Sequence, residues 1–126
     1  MKTLFVSALI FISASGVAHA APNASGEIGY PKGSIGYDAL VAGENDRAIS
    51  QIMTNDRVSR NDPAKLINLG QAYARTGRTA EAEQLFNAAM QSRDDFDLIL
   101  ADGTVMNSKE AARLALAKLR MRVASR

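Results

Sequence analysis

The feature that most constrains this chain is a match to itself at a shift of 34 residues. The shift places Ile35 on Leu69, Gly36 on Gly70, Gly43 on Gly77, Ala48 on Ala82 and Ile52 on Phe86. Both copies keep the same intervals from glycine to glycine to alanine. A period of this length marks small units that cannot bury an apolar face alone and must stack on a neighbour.

The second copy reads as a helical hairpin. Asp62 can accept from the free amides of a helix start, and Pro63 suits the first helical position, where a missing N–H costs nothing. Leu66, Leu69 and Tyr73 then recur at i, i+3 and i+7, which makes one apolar face. Gly77 can take the left-handed conformation that ends a helix. Thr79 stands to cap a second helix whose buried face is Ala82, Leu85, Phe86 and Ala89. The two glycines have separate duties: Gly77 stops the first helix, and Gly70 lets its partner approach closely.

Leu66, Leu69, Gly70, Tyr73, Gly77, Ala82, Phe86 and Ala89 stand at the places of a recurrent helix–turn–helix signature. Through them the segment from about Gly33 to Ser92 resembles the tetratricopeptide repeat family. Leu66 occupies the place where that family often has tryptophan, and Asp94 the place of its usual closing proline. The resemblance implies an all-α array of about two hairpins: a degraded one over 35–61 and a clear one over 62–92. It also implies a non-catalytic adaptor that binds a protein or peptide on the first helix of each hairpin. By analogy Ala64, Ile67, Asn68, Gln71, Ala74 and Arg75 face the partner, with Asn68 and Arg75 suited to holding a carboxylate. In the first copy Gly33 and Tyr37 stand where such a clamp would want Lys and Asn.

The first copy has a leading helix shortened by Pro31, Gly33 and Gly36, expected over about 36–42, and a second over about 45–53 with Ala48, Ile49 and Ile52 inward. Two copies are fewer than the three or so that bury a continuous core. Residues 96–124 are expected to close the stack. Leu98–Ala101 and Thr104–Met106 flank Asp102-Gly103, a pair favoured in two-residue hairpin turns, although a helical state for 98–101 stays open. Asn107 or Ser108 then caps a last helix with Ala112, Leu116, Leu119 and Val123 on one face and Leu114 beside them.

Residues 1–20 combine Lys2, an apolar run over Leu4–Ile12 and the small-x-small ending Ala18-His19-Ala20, the layout of a secretory signal peptide. The run is too short and too interrupted by serine to read as a membrane anchor. Residues 21–34, rich in glycine and proline, read as a flexible lead-in before one domain over 35–126. The echo Ile28-Gly29-Tyr30 and Ile35-Gly36-Tyr37 lacks the ending of a phosphate loop, and Asn23-Ala24-Ser25 is formally a glycosylation sequon. An exported chain without cysteine has no disulfides to hold it, which fits a bacterial periplasm.

Cleavage after Ala20 would remove Lys2 and the only histidine, leaving 14 basic residues (15 less Lys2) against 13 acidic ones. Near-neutral charge points to neither nucleic acid nor a strongly acidic partner. Without His or Cys, the usual nucleophilic triads and common zinc sites have no ligands, so no catalytic residue, cofactor or metal is assigned. Catalysis by carboxylates alone is the remote exception. The acidic group Asp94, Asp95, Asp97 and Asp102 lacks calcium-loop order and reads as a solvated loop. The basic end carries Lys109, Arg113, Lys118, Arg120, Arg122 and Arg126, and Lys118, Arg120, Arg122 and Arg126, near a helix carboxyl end, complement its dipole. A second reading of the whole chain makes it a small structural protein whose last helix makes peripheral contact with an anionic envelope surface. Self-association through uncovered apolar faces is a further expectation.

Overall fold

The computed structural model describes residues 31–126. The expected signal peptide, the sequon and most of the lead-in lie outside those residues. Among the described residues the chain is mostly helical with one small antiparallel hairpin, in the order α1 (Tyr37–Val41), α2 (Asn45–Thr54), α3 (Pro63–Arg75), α4 (Thr79–Gln91), β1 (Asp97–Ile99), β2 (Val105–Asn107) and α5 (Ser108–Ala124). No helix among them is long and apolar enough to cross a membrane.

Asp62 starts α3 as its chemistry predicts. Its carboxylate accepts from the Lys65 backbone N–H at 2.8 Å, and Pro63 opens the helix. At the far end Gly77 has φ +81°, and the Arg78 N–H reaches back to the Tyr73 carbonyl at 2.9 Å. That closure uses two of the carbonyls a helix end leaves open. It also moves the next cap: Arg78, not Thr79, precedes α4, and it makes no side-chain cap bond. The Arg78 guanidinium lies 4.1 Å from the centre of the Tyr73 ring, on the residue its own backbone closes upon.

The same backbone construction recurs 34 residues earlier. Gly43 has φ +76°, and the Glu44 N–H reaches the Ala39 carbonyl at 2.8 Å. Residues 44 and 78 share nearly the same conformation, φ −84°, ψ 67° against φ −83°, ψ 66°. Each begins a helix with an ion pair to the residue three further on, Glu44 to Arg47 and Arg78 to Glu81, with the charges exchanged between copies. In the second pair the hydrogen bond from Arg78 adds to the Glu81 residue's own backbone N–H, the larger cause, in holding the Glu81 carboxyl below its ordinary range.

Close packing repeats as well. A Cβ at Gly70 would lie 2.5 Å from Phe86 Cε1, and a Cβ at Gly36 would lie 2.7 Å from Ile52 Cδ1. Glycine therefore admits a large side chain of a later helix at both places, Phe86 of α4 and Ile52 of α2. Gly36 differs from Gly70 in having φ +82°, so it stands before α1 rather than inside it, and α1 is only five residues long.

The main core gathers Ile52, Ile67, Tyr73, Phe86, Leu98, Leu100 and the inner face of α5. Helix α3 is at its centre, with every residue from Pro63 to Ala74 buried. Helix α5 packs on α4 and α3 through Ala111, Ala112, Ala115, Leu116 and Leu119, all buried. Small alanines let the axes come close. Asn107 rather than Ser108 caps it, accepting from the Lys109 N–H at 3.0 Å. Val123, expected on the inner face, is half exposed, because the last turn of α5 runs past the packed region, and Leu114 is exposed too.

Two expectations need correction. The hairpin forms, but Asp102-Gly103 is not a two-residue turn. Leu98 pairs with Met106, the Leu100 N–H donates to Thr104 at 2.8 Å, and the Gly103 N–H donates to Leu100 at 2.9 Å. That leaves a three-residue loop, Ala101 to Gly103, with Gly103 at φ +85°, the arrangement that places a left-handed residue last. The lead-in is also shorter than expected: Pro31 is buried, Ser34 turns back on Pro31, and the Lys32 N–H donates to the Ile99 carbonyl at 2.6 Å.

Overpacking the glycine contact is expected to be costly. Gly70→Leu should lower stability in urea titrations by about 1–3 kcal/mol or more. A variant whose unfolding curve overlays the native one would show that α3 and α4 do not meet as described.

Candidate functional site

The helix face assigned to a partner is covered in this structure. Ile67 and Asn68 are fully buried and Gln71 is 3 % exposed. Their cover is the strap of residues 31–36 together with α1. Asn68 Nδ2 donates to Ser34 Oγ at 2.6 Å and to the Ile35 carbonyl at 3.0 Å. Arg75 donates to the Leu40 carbonyl at 2.8 Å, at the end of α1. Leu40, Ala39, Ala48 and Ala72 form a small apolar cluster under the same cover. Asn68 and Arg75 thus hold main-chain carbonyls of their own chain, and Ile67, Asn68 and Gln71 are not an open binding surface.

Leu66, Leu69, Gly70 and Tyr73 are buried in α3, Gly77 forms the turn, and Ala82, Phe86 and Ala89 form the buried side of α4. Ala64 and Ala74 are buried as well. Among the described residues one buried side-chain polar atom, Asn68 Oδ1, has no hydrogen-bond partner.

What stays open is a cleft of about 410 Å³ beside the start of α3. Its walls are the strap, β1 and the loop before α3, with Ile35, Val58, Ala64, Phe96 and Leu98 supplying apolar surface. Two charged groups in its wall are already engaged. The Lys65 ammonium, on a buried residue, donates to the carbonyls of Asn55 at 2.7 Å and Val58 at 3.3 Å, which ties down the loop after α2. Asp62 is the cap of α3. Neither Lys65 nor Ser34 was visible as a site residue in the sequence. The one available signal is that Ser34 and Asn68, which bond to each other, are themselves one period apart.

A second cleft, about 490 Å³, lies between the end of α2, the following loop and α3, with Ile52, Leu66, Leu69 and Leu85 in its wall and exposed Met53 at its rim. It carries no convergent polar group beyond the same loop and Lys65.

The acidic residues 94–102 do not converge on a cation. Among the described residues no group of three or more His, Cys, Asp or Glu could hold a metal ion. Asp95 pairs with Asn107 and Lys109. The Thr104 N–H, and then its hydroxyl, hold the Asp102 carboxyl below its ordinary range, which serves the hairpin loop. On the basic helix Arg120 donates to Glu83 of α4, and Arg122 is engaged too.

Comparison with known proteins gives no match to a family model, to a curated protein or to a solved structure.

The role of Asn68 can be read locally. Asn68→Ala removes both bonds to the strap and leaves the Ile35 carbonyl without that donor, so the global loss should be about 1–3 kcal/mol. Amide exchange at Tyr37 and Leu40 should speed up while α4 is unchanged. Equal protection at Tyr37 in both proteins would mean that the strap is held by something else.

Proposed function

We propose that this chain is an exported, non-catalytic adaptor of tetratricopeptide-like build that binds another protein. The observation that carries the reading is the equivalence of two units 34 residues apart: the same glycine-closed turn, the same cap conformation and the same glycine-to-large-side-chain contact. Stacked units of this kind serve by presenting a surface. The amino-terminal layout of residues 1–20 and the absence of cysteine support export to a bacterial periplasm.

The partner site in this reading moves from the buried face of α3 to the cleft at its start. The rival reading, an envelope protein held to an anionic surface by α5, has less support, because Arg120 is paired with Glu83 and Arg122 is engaged as well.

Capture with tagged full-length protein from the native exported fraction tests the proposal. A single protein retained at high salt is the expected result. Recovery of the chain alone would favour self-association. Salt-sensitive cosedimentation with anionic vesicles, abolished when Arg120, Arg122 and Arg126 become alanine, would favour the envelope reading.

A further inference from the structure

We propose that the partner enters the cleft as an extended strand on the open edge of β1, with a basic side chain toward Asp97 and an acidic one toward Lys32. This rests on the adaptor reading above and names its site and the chemistry of its ligand.

The register of the hairpin decides which way each main-chain group points. The Ser108 N–H donates to the Phe96 carbonyl at 2.9 Å, and the Leu100 N–H donates to Thr104 at 2.8 Å. In an antiparallel pair bonded positions alternate with unbonded ones, so residues 96, 98 and 100 address β2, and Asp97 and Ile99 address the other side. That other side is the cleft. Of the four outward groups on Asp97 and Ile99, the Ile99 carbonyl accepts from Lys32. The other three have no hydrogen-bond partner among the described residues. The edge thus already takes one main-chain donor from outside the hairpin, and it has room for more. Unpaired strand edges are templates for another strand, and peptides are commonly held this way.

The cleft supplies the rest of such a site. Ile35, Val58, Ala64 and Leu98 form a wall for one apolar side chain. With Lys65 bound to two carbonyls and Asp62 capping α3, the charges left without an ion-pair partner among the described residues are Asp97 and Lys32, both exposed. Lys32 joins the edge at Ile99, and Asp97 lies two residues along it. Opposite charges along one short edge favour a segment of opposite polarity and so fix its direction. The edge is brief: three residues span about 10 Å. Affinity must therefore come from main-chain bonds, one apolar anchor and these two charges together.

The probe is a phage-displayed library of random heptapeptides, panned on the full-length protein, followed by synthetic copies of the enriched sequences. Enriched peptides should place an apolar residue between a basic and an acidic one. N-methylation of alternate amides should weaken binding by about tenfold or more, whereas the intervening amides tolerate it. Ile99→Pro should weaken binding similarly with an unchanged melting curve, because it deletes an N–H that β2 does not use and proline is tolerated on an edge. Should that variant fail to fold, Asp97→Lys gives the answer by disfavouring the basic residue. No enrichment, or binding indifferent to alternate N-methylation and to Asp97→Lys, overturns the proposal. A protein captured from the exported fraction and retained equally by native, Ile99→Pro and Asp97→Lys chains would leave the adaptor standing and exclude this site.

Discussion

Everything else in the structure depends on a glycine beneath a ring. Gly70 has no side chain where Phe86 lies, and a Cβ there would be far inside contact distance of the ring. Because the ring fills that space, α4 can lie against α3, and α3 can be buried from Pro63 to Ala74. The same device, with Ile52 in place of Phe86, seats α2 near Gly36. Glycine inside a helix costs roughly 1 kcal/mol relative to alanine, and burial of a large apolar side chain returns about 1.5–3 kcal/mol. The exchange is favourable only while the contact is made.

Both sides of α3 are covered among the described residues. The strap and α1 cover one, and α5 covers another. Polar residues on α3 then meet main chain rather than water. Asn68 and Arg75 hold carbonyls of residues 35 and 40, which satisfies those carbonyls in a buried setting. Asn68 has two donors and uses both, but its own oxygen finds no donor. That face of α3 is closed.

Local chemistry made much of this legible. The cap at Asp62, the stop at Gly77, the buried stripes of α3 and α4 and the last helix all follow from residue types at fixed spacing. The 34-residue period also placed the turn at Gly43 correctly, since a left-handed glycine has the same backbone consequence in either copy. Burial of Ile67, Asn68 and Gln71 was not legible, because it depends on where residues 31–40 return in space, and nothing in the spacing of α3 records that. The hairpin was misjudged by its loop for a similar reason. Asp-Gly fits both a two-residue and a three-residue loop, and the choice follows from pairing Leu98 with Met106, which buries Leu98 and Leu100 against the core.

In the proposed adaptor, closing the face of α3 leaves binding to a different kind of surface. Side chains on a helix face offer specificity only when exposed, and here they are consumed in holding the strap. A strand edge is different, since its outward N–H and C=O groups cannot be used by its own hairpin, whatever the side chains do. Beside β1 the strap supplies one donor and then turns away at Ser34, which bonds back to Pro31. The turn leaves Asp97 and the Ile99 N–H facing an apolar cleft. Burying such groups without partners is unfavourable, so their position next to open space, rather than under packed side chains, is what allows both a stable fold and an edge that is unpaired among the described residues.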